Sequence, residues 1–479
     1  MMLSPAAMVA RWLPQLDERL GIFILAIAGL AVLFMKEIVV PIPLIALGFV
    51  GLVAWSRRAA EIPLYLLTAF LPFSRLVSEP NETPSVLVTG ALVAWTFLLH
   101  VARQRRTKQP IVRRTPTGWV IGLLLLLSVG SWLRAGARYG AWYLPAQFTE
   151  LLGWCLPISF YGLALWVVPD ARTLKTLVAI MLVAVAVVAA MATWDYLSES
   201  GGSFDTSRIS GIADDPNRLG AFFASYAFLF LGMWLMLPAR ALGWLMLIPL
   251  VLCARGVMVT FSRGAYLACV AGGLATCWFR HKLLFIAAAA AGLLALAHPV
   301  LLPGGIRYRL QMTLKPASQV ATAHAIDATT LLEASAAGRL EIWQASARII
   351  RDHPWGIGFG AFPGFLPDYT NGRMEFRDAH NAFLMIAAEM GLVTVVVFAV
   401  ILVMTAFHAA WLVWYAQDRL LKALGLGMLG GLAGVVVANQ FSYCFGSQEV
   451  TGYFWLLSGL TVRAVMLERH ARQSSAGTQ

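Results

Sequence analysis

Long continuous apolar runs, repeated along the chain and separated mostly by short connections, constrain this sequence more than any motif in it. A membrane-spanning helix needs about 20 predominantly apolar residues. Fourteen runs meet or approach that need, centred near Ala28, Leu47, Leu67, Val93, Leu125, Ser159, Ala184, Tyr226, Ile248, Val270, Ala290, Val395, Gly430 and Leu457. The weakest, around Leu67, is short and holds Pro63 and Pro72. Composition points the same way. Of 479 residues, 59% are apolar and only 13% charged, with a mean hydropathy of +0.73; ordinary soluble domains are roughly 45–50% apolar and about 25% charged. Soluble domains could not hide so much apolar surface, which excludes a cytosolic enzyme, a disordered chain and a disulfide scaffold. The runs are continuous rather than alternating, which excludes a porin-type β-barrel. The expected fold is an all-α, polytopic integral membrane protein with about 12–14 transmembrane helices.

Basic residues set the expected sidedness. Residues 103–114 hold Arg103, Arg105, Arg106, Lys108, Arg113 and Arg114 with no acid, and by the positive-inside rule they are cytoplasmic. Counting outward, alternate connections are basic again: Arg57 and Arg58, Arg172 and Lys175, Arg240, Arg280 and Lys282, Arg419 and Lys422, then Arg463, Arg469 and Arg472. The net charge of +12 therefore belongs to membrane orientation rather than to nucleic-acid binding. Charged residues ahead of the first run, and no small-residue cleavage site after it, argue against a cleavable signal. The expected organisation is a transmembrane bundle over residues 1–300 with about 11 spans, a large non-cytoplasmic loop over 301–379 with an amphipathic helix, transmembrane helices over 380–466 and a cytoplasmic tail over 467–479. Within the loop, Trp343, Ala347 and Ile350 recur at helical spacing. The following Gly356-Ile357-Gly358-Phe359-Gly360 has no strand before it and reads as a turn, not a nucleotide loop.

Ionisable residues at or near membrane depth are functional candidates by default, and five polar patches fall on the outer face in this topology. Arg208-Ile209-Ser210-Gly211 with Asp214-Asp215-Pro216-Asn217-Arg218 reads either as a capped turn or as a loop folding over a head group, with Arg208 or Arg218 facing anionic oxygen. Ser262-Arg263-Gly264 sits between two spans with almost no linker. Arg263 there either snorkels to lipid phosphate or presents a planar donor fork to a pyrophosphate. Arg255 lies deeper in the same span. Arg339 lies near an expected helix N-terminus, where the dipole disfavours a cation unless an anionic ligand is present; a salt bridge to Glu341 or to the loop is the plainer option. Asp378-Ala379-His380-Asn381 opens a span, and His380 is the side chain best suited to proton transfer near neutral pH. Glu389 is about 13 Å further along that helix and cannot pair with His380 directly. Asn439-Gln440-Phe441-Ser442-Tyr443 ends the penultimate span; Gln440 and Tyr443, with Asn381, could meet sugar hydroxyls, or simply form a polar helix end.

Absent features also narrow the field. There is no D-x-D, no P-loop and no H-E-x-x-H, and none of the five cysteines forms a C-x-x-C pair. No metal and no cofactor are expected.

Taken in order, Arg208-x-Ser210-Gly211…Asp215-Pro216-Asn217, Ser262-Arg263-Gly264 with Leu267, Gly338-Arg339-x-x-x-Trp343, His353-Pro354-x-Gly356-x-Gly358 and His380-Asn381 with Gly391 resemble the O-antigen ligase / Wzy-type polymerase family of bacterial polysaccharide assembly. The resemblance covers the chain from about Arg208 to the last span. It implies an inverting, GT-C-like, metal-independent glycosyl transfer on the periplasmic face of the bacterial inner membrane. The donor would be a glycan on undecaprenyl pyrophosphate. Arg263 and Arg339, with Arg208, Arg218, Arg255 and Asn217 around the donor, would neutralise the leaving diphosphate, and His380 would take the acceptor proton. The implied partners are the lipid bilayer, an acceptor glycan (a lipid-linked repeat or lipid A core) and a polysaccharide-assembly complex. A polymerase of O-antigen or exopolysaccharide is slightly preferred to a ligase onto lipid A core. A small-anion, bicarbonate-like transporter is the reading from another class, and it requires a continuous polar path.

Overall fold

The computed structural model describes residues 61–77, 83–200, 208–237, 241–312, 333–375 and 377–476. The runs near Ala28 and Leu47 lie outside the described residues. No strand occurs among the described residues. The chain is an all-α, polytopic membrane protein, as backbone self-satisfaction in lipid requires of long apolar runs. In chain order the helices are α1 (Ile62–Phe70), α2 (Thr83–Thr107), α3 (Pro116–Tyr139), α4 (Tyr143–Ala146), α5 (Phe148–Val167), α6 (Ala171–Ser200), α7 (Pro216–Met236), α8 (Ala241–Leu245), α9 (Leu247–Val259), α10 (Arg263–Arg280), α11 (Lys282–Ala297), α12 (Gly304–Gln311), α13 (Ala334–Asp352), α14 (Phe362–Tyr369), α15 (Ala382–Met390), α16 (Leu392–Tyr415), α17 (Arg419–Ala438) and α18 (Gln448–Ala476). Among the described residues, nine stretches are long and apolar enough to cross a membrane: α2, α3, α5, α6, α7, α8 with α9, α16, α17 and α18. The runs near Leu67, Val270 and Ala290 form α1, α10 and α11, which fall outside those nine.

Helix starts follow local chemistry. Thr115 accepts a hydrogen bond from the Gly118 N–H ahead of Pro116, Asp215 accepts from Asn217 and Arg218 ahead of Pro216, and Ser262, Asn381 and Asp418 cap α10, α15 and α17 in the same way. Each cap satisfies donors that the helix itself leaves open. The most enclosed span is α18, packed against α5 and α16. The tightest crossing joins α7 to α17. A Cβ at Gly434 would lie 2.2 Å from the Ala224 carbonyl oxygen, and one at Gly431 would lie 2.4 Å from that of Ser225. Small residues let helix backbones touch where lipid supplies no hydrophobic drive for association. At the periphery, Leu98, Trp119, Leu126 and Leu293 point outward, as lipid-facing side chains do.

Several of the basic connections gather at one end. Arg113 donates to the Leu165 and Trp166 carbonyls at 2.7 and 2.9 Å, and Arg463 donates to those of Val168 and Pro169 at 2.8 and 2.6 Å. Both cations thus cap the C-terminus of α5, the helix end that favours positive charge. Lys175 pairs with Asp418 at the same end.

At the other end, α13, α14 and α15 share a small apolar cluster of their own, including Ile342, Ile349, Ile357, Phe362, Leu366 and Met385. The stripe expected from Trp343, Ala347 and Ile350 is shifted by one position. Ile342, Ala345 and Ile349 are buried and Ala347 is exposed, because the partners of α13 are α14 and α15.

The run near Val395 is not one helix. It breaks at Gly391, whose φ is +95°, separating the nine-residue α15 from α16. The glycine turn fills that break. Ile357 and Gly358 donate to the Ala388 and Glu389 carbonyls at 2.8 and 3.0 Å, and Leu392 donates to the Pro354 carbonyl at 3.0 Å. The Tyr139 and Tyr143 hydroxyls donate to the Ile357 and Phe359 carbonyls at 2.8 and 2.9 Å. The buried Glu389 accepts from the Phe362 N–H at 3.1 Å. A helix interrupted in apolar surroundings must have its freed backbone groups satisfied, and the turn does this. Its glycines are structural.

Candidate active site

Four helices, α7, α10, α13 and α15, begin around one region at this end of the bundle. Direct contacts join the starts of α7, α10 and α13, and the third turn of α13 reaches the residues just before α15. Asn217, on the first turn of α7, accepts hydrogen bonds through Oδ1 from the Ser262 hydroxyl (3.0 Å), the N-cap of α10, and from Arg208 (2.9 Å). Arg208 also donates from Nε to the Thr260 carbonyl at 3.0 Å. Arg263, first residue of α10, forms an ion pair with Glu333, the N-cap of α13, at 2.7 Å. Trp343 on α13 donates its indole N–H to the Ala379 carbonyl at 3.1 Å, one residue before His380. The Trp343 ring also lies 6.1 Å from that of Phe441. Phe441 in turn packs so closely on Gly264 that a Cβ there would stand 2.8 Å from the Phe441 Cβ. Glycine is what lets the start of α10 approach the end of α17.

Positive helix ends and arginines therefore coincide. Each helix N-terminus carries roughly half a positive charge, and Arg208, Arg263, Arg309 and Arg339 are near enough to sense one another. Burial, then the charge of Arg309, lowers the pKa of Arg208. Burial, then the charge of Arg263, lowers that of Arg339. Two acids oppose this crowding. Asp215 is engaged in capping α7. Burial would raise the Glu333 pKa, but the Arg263 hydrogen bond and charge outweigh it and hold the carboxyl below its ordinary value. Partly buried planar donors grouped in this way suit a multiply charged oxyanion.

His380, one residue beyond the carbonyl held by Trp343, adopts a left-handed backbone, φ +46°. Its Nδ1 lies 3.0 Å from Asp378 Oδ1, and its side chain is about one-third exposed. Arg218, on the first turn of α7, is near enough for its charge to act on Asp378.

A family model described as O-antigen ligase matches residues 248–399, about a third of the chain. The chain carries an O-antigen ligase family domain. No curated protein matches it. The match agrees with the resemblance read from the motifs, and the nine spans among the described residues make this a multi-pass membrane protein. Arg263, Arg309, Glu333, Arg339, Asp378 and His380 lie inside the matched region, whereas Arg208, Asn217, Arg218, Gln440 and Tyr443 lie outside it.

The residues singled out in the sequence are put to different uses. Asn217 is a brace between Arg208 and Ser262. Asn381 is buried; its Oδ1 caps α15 and its Nδ2 donates to Gln440 at 3.1 Å. Asn381 and Gln440 therefore tie α15 to the end of α17. Tyr443 borders the α13–α15 cluster. Arg255 turns elsewhere, stacking over the Tyr196 ring at 4.9 Å on the α6 side. Arg339 does not pair with Glu341, which instead meets Arg373 at 2.9 Å. Arg309 and Glu333 went unread in the sequence. Arg309 donates from Nε to the Phe261 carbonyl at 3.0 Å and belongs to the arginine group; its only local signal is the basic pair Arg307 and Arg309 on a short helix. Glu333 has no signal, because its partner is 70 residues away. Among the described residues, no three His, Cys, Asp or Glu side chains come together as a metal site would require.

Proposed function

We propose that this protein transfers a glycan from undecaprenyl pyrophosphate to a sugar hydroxyl on the periplasmic face of the bacterial inner membrane. The observation that carries the reading is the grouping of Arg208, Arg263, Arg309 and Arg339 around the starts of α7, α10 and α13, with the His380 segment tied to α13 through Trp343 and reached by the charge of Arg218. In this reading Arg263, Arg339, Arg208 and Arg309 receive the diphosphate. Their fixed donors stabilise the charge that develops as the anomeric C–O bond breaks, the electrostatic contribution that is usually largest in such reactions. His380 takes the acceptor proton as the hydroxyl attacks with inversion. The driving energy is the leaving group's own.

Two acceptors fit the same chemistry. A second lipid-linked repeat makes the protein a polymerase, the reading preferred from the motifs; the family description favours a ligase, with lipid A core as acceptor. An anion transporter is disfavoured because α7 and α17 beneath the site pack backbone against backbone along Gly427, Gly431 and Gly434, leaving no polar path between them. Reconstitution of the purified protein with lipid-linked repeat alone tests the proposal. A ladder of products identifies a polymerase. Reaction only after addition of a core acceptor identifies a ligase. Anion flux without glycan transfer would overturn both.

A further inference from the structure

Resting on the reading of His380 as the base, we infer that Asp378 is a positioning residue, which holds the imidazole with its proton on Nδ1 and its Nε2 lone pair turned to the acceptor hydroxyl. One carboxylate oxygen of Asp378 accepts twice from the same residue: from the His380 backbone N–H at 2.8 Å and from Nδ1 at 3.0 Å. A carboxylate has no proton to offer, so the ring nitrogen facing it must be the one that bears hydrogen. In the neutral imidazole this leaves Nε2 as the acceptor.

The backbone around the dyad is pinned on both sides. Ala379 is fully buried and its carbonyl is held by the Trp343 indole. Asn381 is locked by its cap and by Gln440. Between them His380 takes a left-handed conformation that non-glycine residues adopt rarely and at a cost. The backbone that carries the ring is thus held from three separate elements, α13, α15 and the end of α17. Of the charged and titratable groups on neighbouring elements, Arg218 on α7 acts on Asp378, and Asp378 in turn acts on Tyr443 after α17. Burial would raise the Asp378 pKa, but the His380 hydrogen bond and charge, joined by Arg218, keep it below the ordinary carboxylate value.

In the reaction the acceptor O–H bond breaks and its proton goes to His380 Nε2. The acceptor oxygen bonds the anomeric carbon, and the electron pair of the breaking C–O bond leaves with the diphosphate. Nδ1–H stays on Asp378 throughout, and the imidazolium then releases the Nε2 proton to water. The same logic of a base oriented by a third group recurs on unrelated folds.

The test compares Asp378→Asn, Asp378→Glu and His380→Ala in reconstituted glycan transfer, with 15N-histidine NMR of the full-length protein. We expect Asp378→Asn to lower kcat by about 10²–10⁴-fold with KM little changed, Asp378→Glu to recover much of that loss, and wild-type His380 to show the Nδ1–H tautomer. A His380 signal in the Nε2–H tautomer in wild type would overturn the inference, even if Asp378→Asn does not fold. So would an Asp378→Asn enzyme with wild-type kcat while His380→Ala is inactive. An active His380→Ala would instead overturn the role of His380 itself.

Discussion

Replacing Arg339 by Met separates a binding arginine from a scaffold arginine. Arg339 lies in the second turn of α13, and among the described residues it makes no ion pair. Burial and the nearby Arg263 and Arg309 charges work against its ionised form, while Glu333 and Asp215 return only part of that cost. At an effective dielectric of about 20, a like charge about 8 Å away opposes it by on the order of 2 kcal/mol. With the acids offsetting some of this, Arg339→Met should leave the ligand-free protein equally stable or about 1–2 kcal/mol more stable, since the Met side chain keeps most of the packing. Activity should move the other way. Losing one fixed donor to the developing oxyanion costs about 10²–10³-fold in kcat, or roughly 3–4 kcal/mol. Thermal unfolding in detergent, with and without a polyprenyl diphosphate, reads both effects beside the transfer assay. Wild type should be stabilised by about 2.7 kcal/mol at a ligand concentration 100 times Kd, and Arg339→Met should lose most of that shift. A variant that melts lower than wild type yet keeps its diphosphate shift and turnover would refute the reasoning, because Arg339 would then serve the fold and not the anion.

Three further outcomes are expected. Arg263→Lys should transfer glycan at least about tenfold more slowly, because an ammonium lacks the planar fork that can serve Glu333 or a phosphate with paired donors; equal rates would show that charge alone suffices. The Arg263–Glu333 pair contributes pH-dependent stability whose sign follows from the lowered Glu333 pKa. It is present above the unfolded carboxylate value of about 4.3 and is lost as pH falls through the lower folded value, so wild type and Glu333→Gln should differ in melting temperature at pH 7 and converge in acid; a difference that persists in acid would mean the pair is not its source. Gly391→Ala should destabilise the protein by at least about 1–3 kcal/mol, since φ is +95° and the new Cβ would stand 2.7 Å from the Trp355 carbonyl; an unchanged unfolding curve would show that the helix break tolerates a side chain.

Much of the architecture was legible in the chain because lipid imposes local rules. The apolar runs, the basic connections and the acidic cap at Asp215 are all set by near neighbours in sequence. Where reading from the chain went astray, the cause was tertiary. The continuous run near Val395 hides a break, because hydropathy does not register a glycine whose backbone is taken up by a turn 35 residues earlier. Trp343, Ala347 and Ile350 satisfy helical periodicity, yet the neighbouring stripe is buried, because only the packing of α13 on α14 and α15 decides which face is covered.

The candidate site divides along the same line. His380, Arg263, Arg339 and Arg208 stood out as charges that a membrane chain does not carry idly, and that inference needed only the sequence and the cost of desolvation. Their assembly did not follow from it. That Asn217 bridges Arg208 to Ser262, that Arg309 joins the cationic group, that Glu333 answers Arg263, and that Arg255 turns away to Tyr196 depend on contacts between residues dozens of positions apart. The sequence determined by itself which stretches enter lipid and which charges are expensive there, because burial costs belong to individual side chains. Only the tertiary structure decided that α7, α10 and α13 start side by side, because helix direction and crossing are set by how surfaces such as the α7–α17 glycine seam fit together, and no single segment carries that information.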